Sequence, residues 1–167
     1  IIWVAYIFSG ILVFNRTFTN EKEQSTIDGL VLAPISRDAI YVGKFLGALT
    51  IILIVEIVMI PVFLVMYDIN TLSPLLILVM FLATVGFAAA GTIFSALATN
   101  SKARELLLPL LLFPIILPVI IGAVASTSTI IAGGGFGEIT LWFRLMLAFD
   151  INCIVISCFL FGFLVEE

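Results

Sequence analysis

Long apolar runs broken by short polar stretches leave this chain few places to fold other than inside a bilayer. About 20 consecutive apolar residues cross the hydrocarbon core as a helix, and only helices and closed barrels satisfy their backbone groups there. The chain holds about five such runs, at residues 1–14, 45–67, 75–98, 106–125 and 151–165. Composition agrees, with 63% hydrophobic and 11% charged residues, where a soluble domain has about 45–50% and about 25%. The expected fold class is therefore all-α, a polytopic transmembrane helical bundle of about five spans forming one domain over residues 1–167. Most of the charged residues lie in two short polar stretches, and the net charge of −4 gives no support to nucleic-acid binding.

Residues 1–14 are apolar throughout, yet at 1.5 Å per residue they reach only about 21 Å. The first span is accordingly expected to begin upstream, and the covered chain to be a fragment. Residues 15–44 then turn polar, with Arg16, Glu21, Lys22, Glu23, Asp28, Arg37, Asp38 and Lys44 around the apolar patch Leu30, Val31 and Leu32. The span at 45–67 contains Pro61, which a membrane helix tolerates when neighbours satisfy the freed carbonyl. In the third span Gly86, Ala88, Ala89, Ala90, Gly91 and Ser95 allow close backbone approach and predict a central place in the bundle. Pro109, Pro114 and Pro118 predict kinks or a break in the fourth span. Residues 126–137, small and polar with Gly133, Gly134 and Gly135, predict a flexible loop. Residues 138–150, with Trp142 and Phe143 among Glu138, Arg144 and Asp150, predict a short outward-facing interfacial helix before the last span.

Cytoplasmic loops of membrane proteins are enriched in Lys and Arg. Of seven such residues, Arg16, Lys22, Arg37, Lys44, Lys102 and Arg104 fall in the 15–44 and 99–105 loops and only Arg144 falls opposite. These two loops and the C-terminus are expected in the cytoplasm.

The chain contains no histidine, which removes His-based triads, His-ligated metals and His-ligated heme within these residues. No G-x-x-x-x-G-K-[ST] phosphate loop occurs, and the run Gly133 to Gly137 follows no soluble strand, so nucleotide hydrolysis has to come from a separate subunit. Cys153 and Cys158 lie inside an apolar segment and read as small buried hydrophobes. Neither a catalytic residue nor a metal site is expected. Glu56 is the one acid deep in a span, where an ionisable group costs several kcal/mol unless it faces the bundle or water, by about 2.5 kcal/mol or more. It is either a polar point on a substrate path or a protonated carboxyl bonded to a neighbouring helix.

The 15–44 loop exceeds the length of ordinary connections, and its apolar centre broken at Pro34 suits a short amphipathic helix presented to a cytoplasmic partner. Gly43 and Gly47 follow at a spacing typical of helix packing. Here Asp28-Gly29-Leu30-Val31-Leu32-Ala33-Pro34, continuing Ile35-Ser36-Arg37-Asp38-Ala39-Ile40-Tyr41-Val42-Gly43-Lys44, resembles the CcmB family, the heme exporter B subunits of cytochrome c maturation. The opening Ile1-Ile2-Trp3-Val4-Ala5 and the proline-rich 108–118 run are similar as well. The resemblance implies an ABC-2-type permease of six helices, one of them upstream of Ile1, in the cell inner membrane. It further implies a separate ATP-binding subunit CcmA, membrane partners CcmC and CcmD, and coupling of ATP hydrolysis to release of the heme-loaded chaperone CcmE. ATP would be bound by the partner, heme handled by the complex, and no cofactor held by this chain. The contact with the ATPase would map to Asp28, Gly29, Leu30, Pro34 and Arg37, with Lys44 at the entry to the next span. Two other functions compete: an ABC-2-type permease for a lipid, polysaccharide or drug, and a non-transporting membrane scaffold whose 28–37 loop tolerates scrambling. An intramembrane enzyme is a weaker fit, since Glu56 has no second deep acid, histidine or metal motif beside it.

Overall fold

A computed structural model describes residues 2–23, 37–66, 73–98 and 104–164, with side-chain surroundings at 2–15, 39–66, 73–98 and 107–159. Among the described residues five helices follow one another: α1 Ile2–Glu23, α2 Arg37–Met66, α3 Pro74–Ala98, α4 Arg104–Ile131 and α5 Phe136–Leu164. Four contain stretches long and apolar enough to cross a bilayer, at Ala39–Met66, Pro74–Ala98, Leu107–Ile131 and Phe136–Phe159, while the apolar part of α1 is the shorter Ile2–Asn15. The chain is an all-α helical membrane bundle.

Local chemistry explains the ends. Ser73 caps α3, its hydroxyl accepting from the Leu75 amide at 3.3 Å and its carbonyl from those of Leu76 and Ile77. Pro74 supplies the first-turn residue that needs no donor. At the same end of the bundle α4 closes in a Schellman turn: Gly134 N donates to Thr129 O at 2.9 Å and Gly133 N to Ile130 O at 3.0 Å, with Gly133 at φ 89°.

Three sequence expectations need correction. The 15–44 stretch is not a loop at its ends, since α1 continues to Glu23 and α2 begins at Arg37, residues 24–36 lying outside the described residues. The 126–137 segment is not a loop throughout, because α4 continues to Ile131 and leaves only residues 132–135 outside helix. Thr129 donates its hydroxyl to the Ala125 carbonyl at 3.0 Å, so its polarity is satisfied within the helix and forces no exit. The 138–150 segment is likewise not a separate helix, since α5 runs without interruption through Asp150 and Ile151. No glycine or proline stands between Glu138 and Phe161 to stop it. The three prolines of α4 and Pro61 of α2 also lie inside continuous helices.

The helices pack as a ring around a centre. α3 touches all four others, which themselves adjoin in the circle α1, α2, α5, α4. Within the most apolar 18 residues of the α3 span 78% are buried, against 11% for the same length of α2 and 17% for α5. Apolar burial does not drive helix association in lipid, so the small residues of α3 do, by letting backbones and rings come close. Phe14 of α1 fills the space over Gly91 of α3, and Phe87 of α3 fills the space over Gly10 of α1. The two rings meet at 5.5 Å, and Tyr6 extends the aromatic stack to Phe87 at 5.5 Å and to Trp3 at 5.6 Å.

Candidate functional site

Four helices bring polar groups to one buried region beside α3. Glu56 sits in α2, 17 residues past the start of the Ala39–Met66 span, and is 4% exposed. Its Oε2 lies 2.9 Å from Thr84 Oγ1, which is also 2.8 Å from the Met80 carbonyl one turn earlier in α3. A threonine hydroxyl has one proton to give. Thr84 can share that proton between the two acceptors, or a neutral Glu56 can donate to Thr84 while Thr84 donates to Met80. In either arrangement Oε1 is buried with no hydrogen-bond partner among the described residues.

Asp150 enters from α5 and is 3% exposed. Its carboxyl occupies the position a side chain at Gly86 would take, so the glycine is what lets α5 seat an acid against the α3 backbone. Neither carboxyl oxygen of Asp150 has a hydrogen-bond partner among the described residues. From α1 the buried Tyr6 hydroxyl lies near Thr84 without closing a well-aligned bond. Of these groups Glu56 and Thr84 are hydrogen-bonded to each other, while Tyr6 and Asp150 add a buried phenol and a second buried carboxyl against α3.

A cleft opens beside this centre. It encloses about 650 Å³, counting the open space at its mouth, and Glu56, Tyr6 and Trp3 line it with Met59, Phe63 and Met80. Its rim includes Ile2 at the start of α1, Leu64 near the end of α2 and Ile131 at the end of α4. Trp3 is fixed at the wall by donating its indole N–H to Thr127 Oγ1 of α4 at 3.3 Å. A smaller apolar space of about 210 Å³ lies behind Trp3 and Tyr6, between α1, α3 and α4.

The sequence-derived residues fall unevenly on this picture. Glu56 is in the buried centre, bonded to a neighbouring helix. Asp28, Gly29, Leu30 and Pro34 lie outside the described residues; Arg37 is the first residue of α2, and Lys44 is a half-buried residue two turns further along it. Tyr6, Thr84 and Asp150 were not singled out by sequence. Single hydroxyls in an apolar run are ordinary, and Asp150 sat at the presumed border of an interfacial helix; the paired signal was an acid two residues from an asparagine inside a run with no helix breaker. Among the described residues no group of three or more Asp, Glu, Cys or His is arranged to hold a metal, and both cysteines are half-buried in α5.

Comparison with curated proteins and with solved structures returned no match. The CcmB protein family, by contrast, matches residues 1–166, nearly the whole chain. The helical membrane bundle, the apolar spans and this match agree: the chain belongs to the CcmB family, the membrane permease subunits of heme export in cytochrome c maturation.

Proposed function

We propose that this chain is the membrane-embedded half of an ABC-type complex, in which a CcmA-type subunit binds and hydrolyses ATP and the chain converts that work into release of the heme-loaded chaperone CcmE. The family match over residues 1–166 carries the proposal. CcmC and CcmD complete the membrane assembly, heme is cargo of the complex, and this chain holds no cofactor of its own. The orientation that places the 15–44 and 99–105 segments on the cytoplasmic side puts Asp28, Gly29, Leu30, Pro34 and Arg37 where the ATPase docks, with the protein in the cell inner membrane.

The geometry supports a means of transmission. α2 starts at Arg37, and no proline interrupts it before Glu56. Those 19 residues span about 28 Å at 1.5 Å per residue. Displacement of the docking segment therefore arrives, through a continuous rod, at the Glu56 carboxyl, which is bonded to α3. Since α3 touches every other helix, a shift at the Glu56–Thr84 contact is felt by the whole ring, as a two-arrangement bundle requires.

Affinity purification of the full-length protein in mild detergent tests this. An ATP-binding subunit is expected to co-purify together with CcmC-like and CcmD-like proteins, and Asp28→Lys combined with Arg37→Glu is expected to release the ATPase while leaving the chain in the membrane. Unaltered co-purification by the double variant would remove the docking assignment. Recovery of the verified intact protein with neither class of partner would favour a scaffold that needs no ATP.

A further inference from the structure

Asp150 stands where an acid is hard to keep. It lies well inside the 24-residue Phe136–Phe159 span, about 21 Å from its start at 1.5 Å per residue, and is 3% exposed. Both carboxyl oxygens are shut off from solvent and have no hydrogen-bond partner among the described residues. The carboxyl lies over Gly86, and the Phe149 ring closes the same spot, 3.4 Å from where a Gly86 Cβ would stand. The seat has the shape of the acid without the donors or cation that a buried carboxyl ordinarily keeps.

The surrounding helices supply no substitute. On α1 the titratable group is Tyr6, which feels both Asp150 and Glu56. On α2 Glu56 is engaged with Thr84, and Tyr41 donates to the Ala89 carbonyl at 3.4 Å. Residues 74–98 of α3 and 107–131 of α4 contain no titratable side chain. On α5 Cys153 follows one turn later and feels Asp150. Arg144 of α5 is exposed, and neither it nor Lys44 of α2 offsets the burial of Asp150.

A neutral Asp150 can occupy this seat at the cost of one unpaired O–H. An ionised one would set a negative charge deep in the span with neither donor nor cation among the described residues, an arrangement membrane helices avoid. Losing the proton therefore requires water to reach the carboxyl, and that requires α5 to part from α3 at Gly86. We propose that Asp150 is a proton-binding latch between α5 and α3: with its proton it seats against Gly86, and without it α5 is held off that seat. Only the carboxyl O–H bond breaks, its proton passing to the entering water and returning from it. Because α3 touches the four other helices, the latch sets which of two bundle arrangements is populated. Neither nucleotide nor partner is needed to work it, so it stands or falls apart from the ATPase reading.

The test uses the full-length protein in lipid nanodiscs, with Cys153 and Cys158 replaced by alanine. Spin labels are placed at Leu97→Cys on α3 and Phe159→Cys on α5, both exposed positions. Pulsed distance measurements are expected to show a second, longer population that grows with pH. The ratio of released to seated molecules is expected to rise by up to about tenfold per pH unit, the slope of a single proton. Asp150→Asn is expected to hold the shorter distance at every pH, Gly86→Ala to hold the longer one, and Glu56→Gln to titrate as the wild type does. Infrared difference spectra over the same pH range are expected to show a protonated-carboxyl band that Asp150→Asn removes. If Asp150→Asn fails to fold, the wild-type distances and Gly86→Ala decide the matter. A wild-type distance that ignores pH overturns the proposal, as does an Asp150→Asn protein that titrates like the wild type. Loss of the response in Glu56→Gln overturns it in favour of the other acid.

Discussion

Gly86 shows how one missing side chain organises the buried centre: Asp150 stands where its Cβ substituents would be. Gly86→Ala is therefore expected to lower thermal stability of the detergent-solubilised protein by about 1–3 kcal/mol, the usual cost of overpacking. Gly43→Ala is the matched control, since nothing lies within 4 Å of a side chain there, and no loss is expected. A melting curve for Gly86→Ala that superimposes on the wild type would remove the Asp150 contact from the account. At this scale the sequence was partly legible. Glu56 stands out because a lone acid in a long apolar run is rare. Thr84 does not, because threonines in helices commonly bond the carbonyl four residues back, as Thr50 and Thr92 do here at 2.7 Å each. Only the packing of α2 against α3 shows that the Thr84 hydroxyl also meets a carboxyl.

Helix boundaries followed local chemistry where that chemistry was strong. Ser73-Pro74 announces α3 by a cap and a first-turn proline, and α3 begins there. The end of α4 was misplaced because serine and threonine were weighed as loop formers, whereas their hydroxyls can be satisfied by the helix that carries them. The stop is set by Gly133, whose φ of 89° a side chain would strain by about 1–2 kcal/mol. Gly133→Ala is expected to lower the melting temperature by that strain. Gly135→Ala, with open space around it and no positive φ, is expected to leave it unchanged, and equal effects from the two would argue against the Schellman turn. Division of 138–164 into two helices rested on the polarity of Glu138, Arg144 and Asp150. One exposed cation that can extend toward the interface and one acid seated inward fit a single helix equally well.

For the molecule as a whole, small residues in the third span were enough to expect it at the centre, and its burial agrees. The ring order around it was not legible, since four mostly apolar helices carry little to say which adjoins which. Orientation rests on the unequal placement of Lys and Arg and is open to direct measurement. With Cys153 and Cys158 replaced by alanine, Gly135→Cys is expected to react with a membrane-impermeant maleimide in intact cells and Lys102→Cys only after permeabilisation. The reverse pattern would invert the bundle and move the docking loop to the other side. The central position of α3 also bears on how the protein is made. α3 leaves the ribosome before α4 and α5, two of the four helices that enclose it, so for some seconds, at about 5–20 residues per second, half of its circle is missing. During that interval its glycines, alanines and buried hydroxyls face lipid or whatever insertion factor stands beside them. Chains truncated after Ala98 should consequently be cleared by membrane proteases, while those truncated in the last turns of α5 survive. The helix that holds the finished bundle together is thus the one most exposed while the bundle is being built.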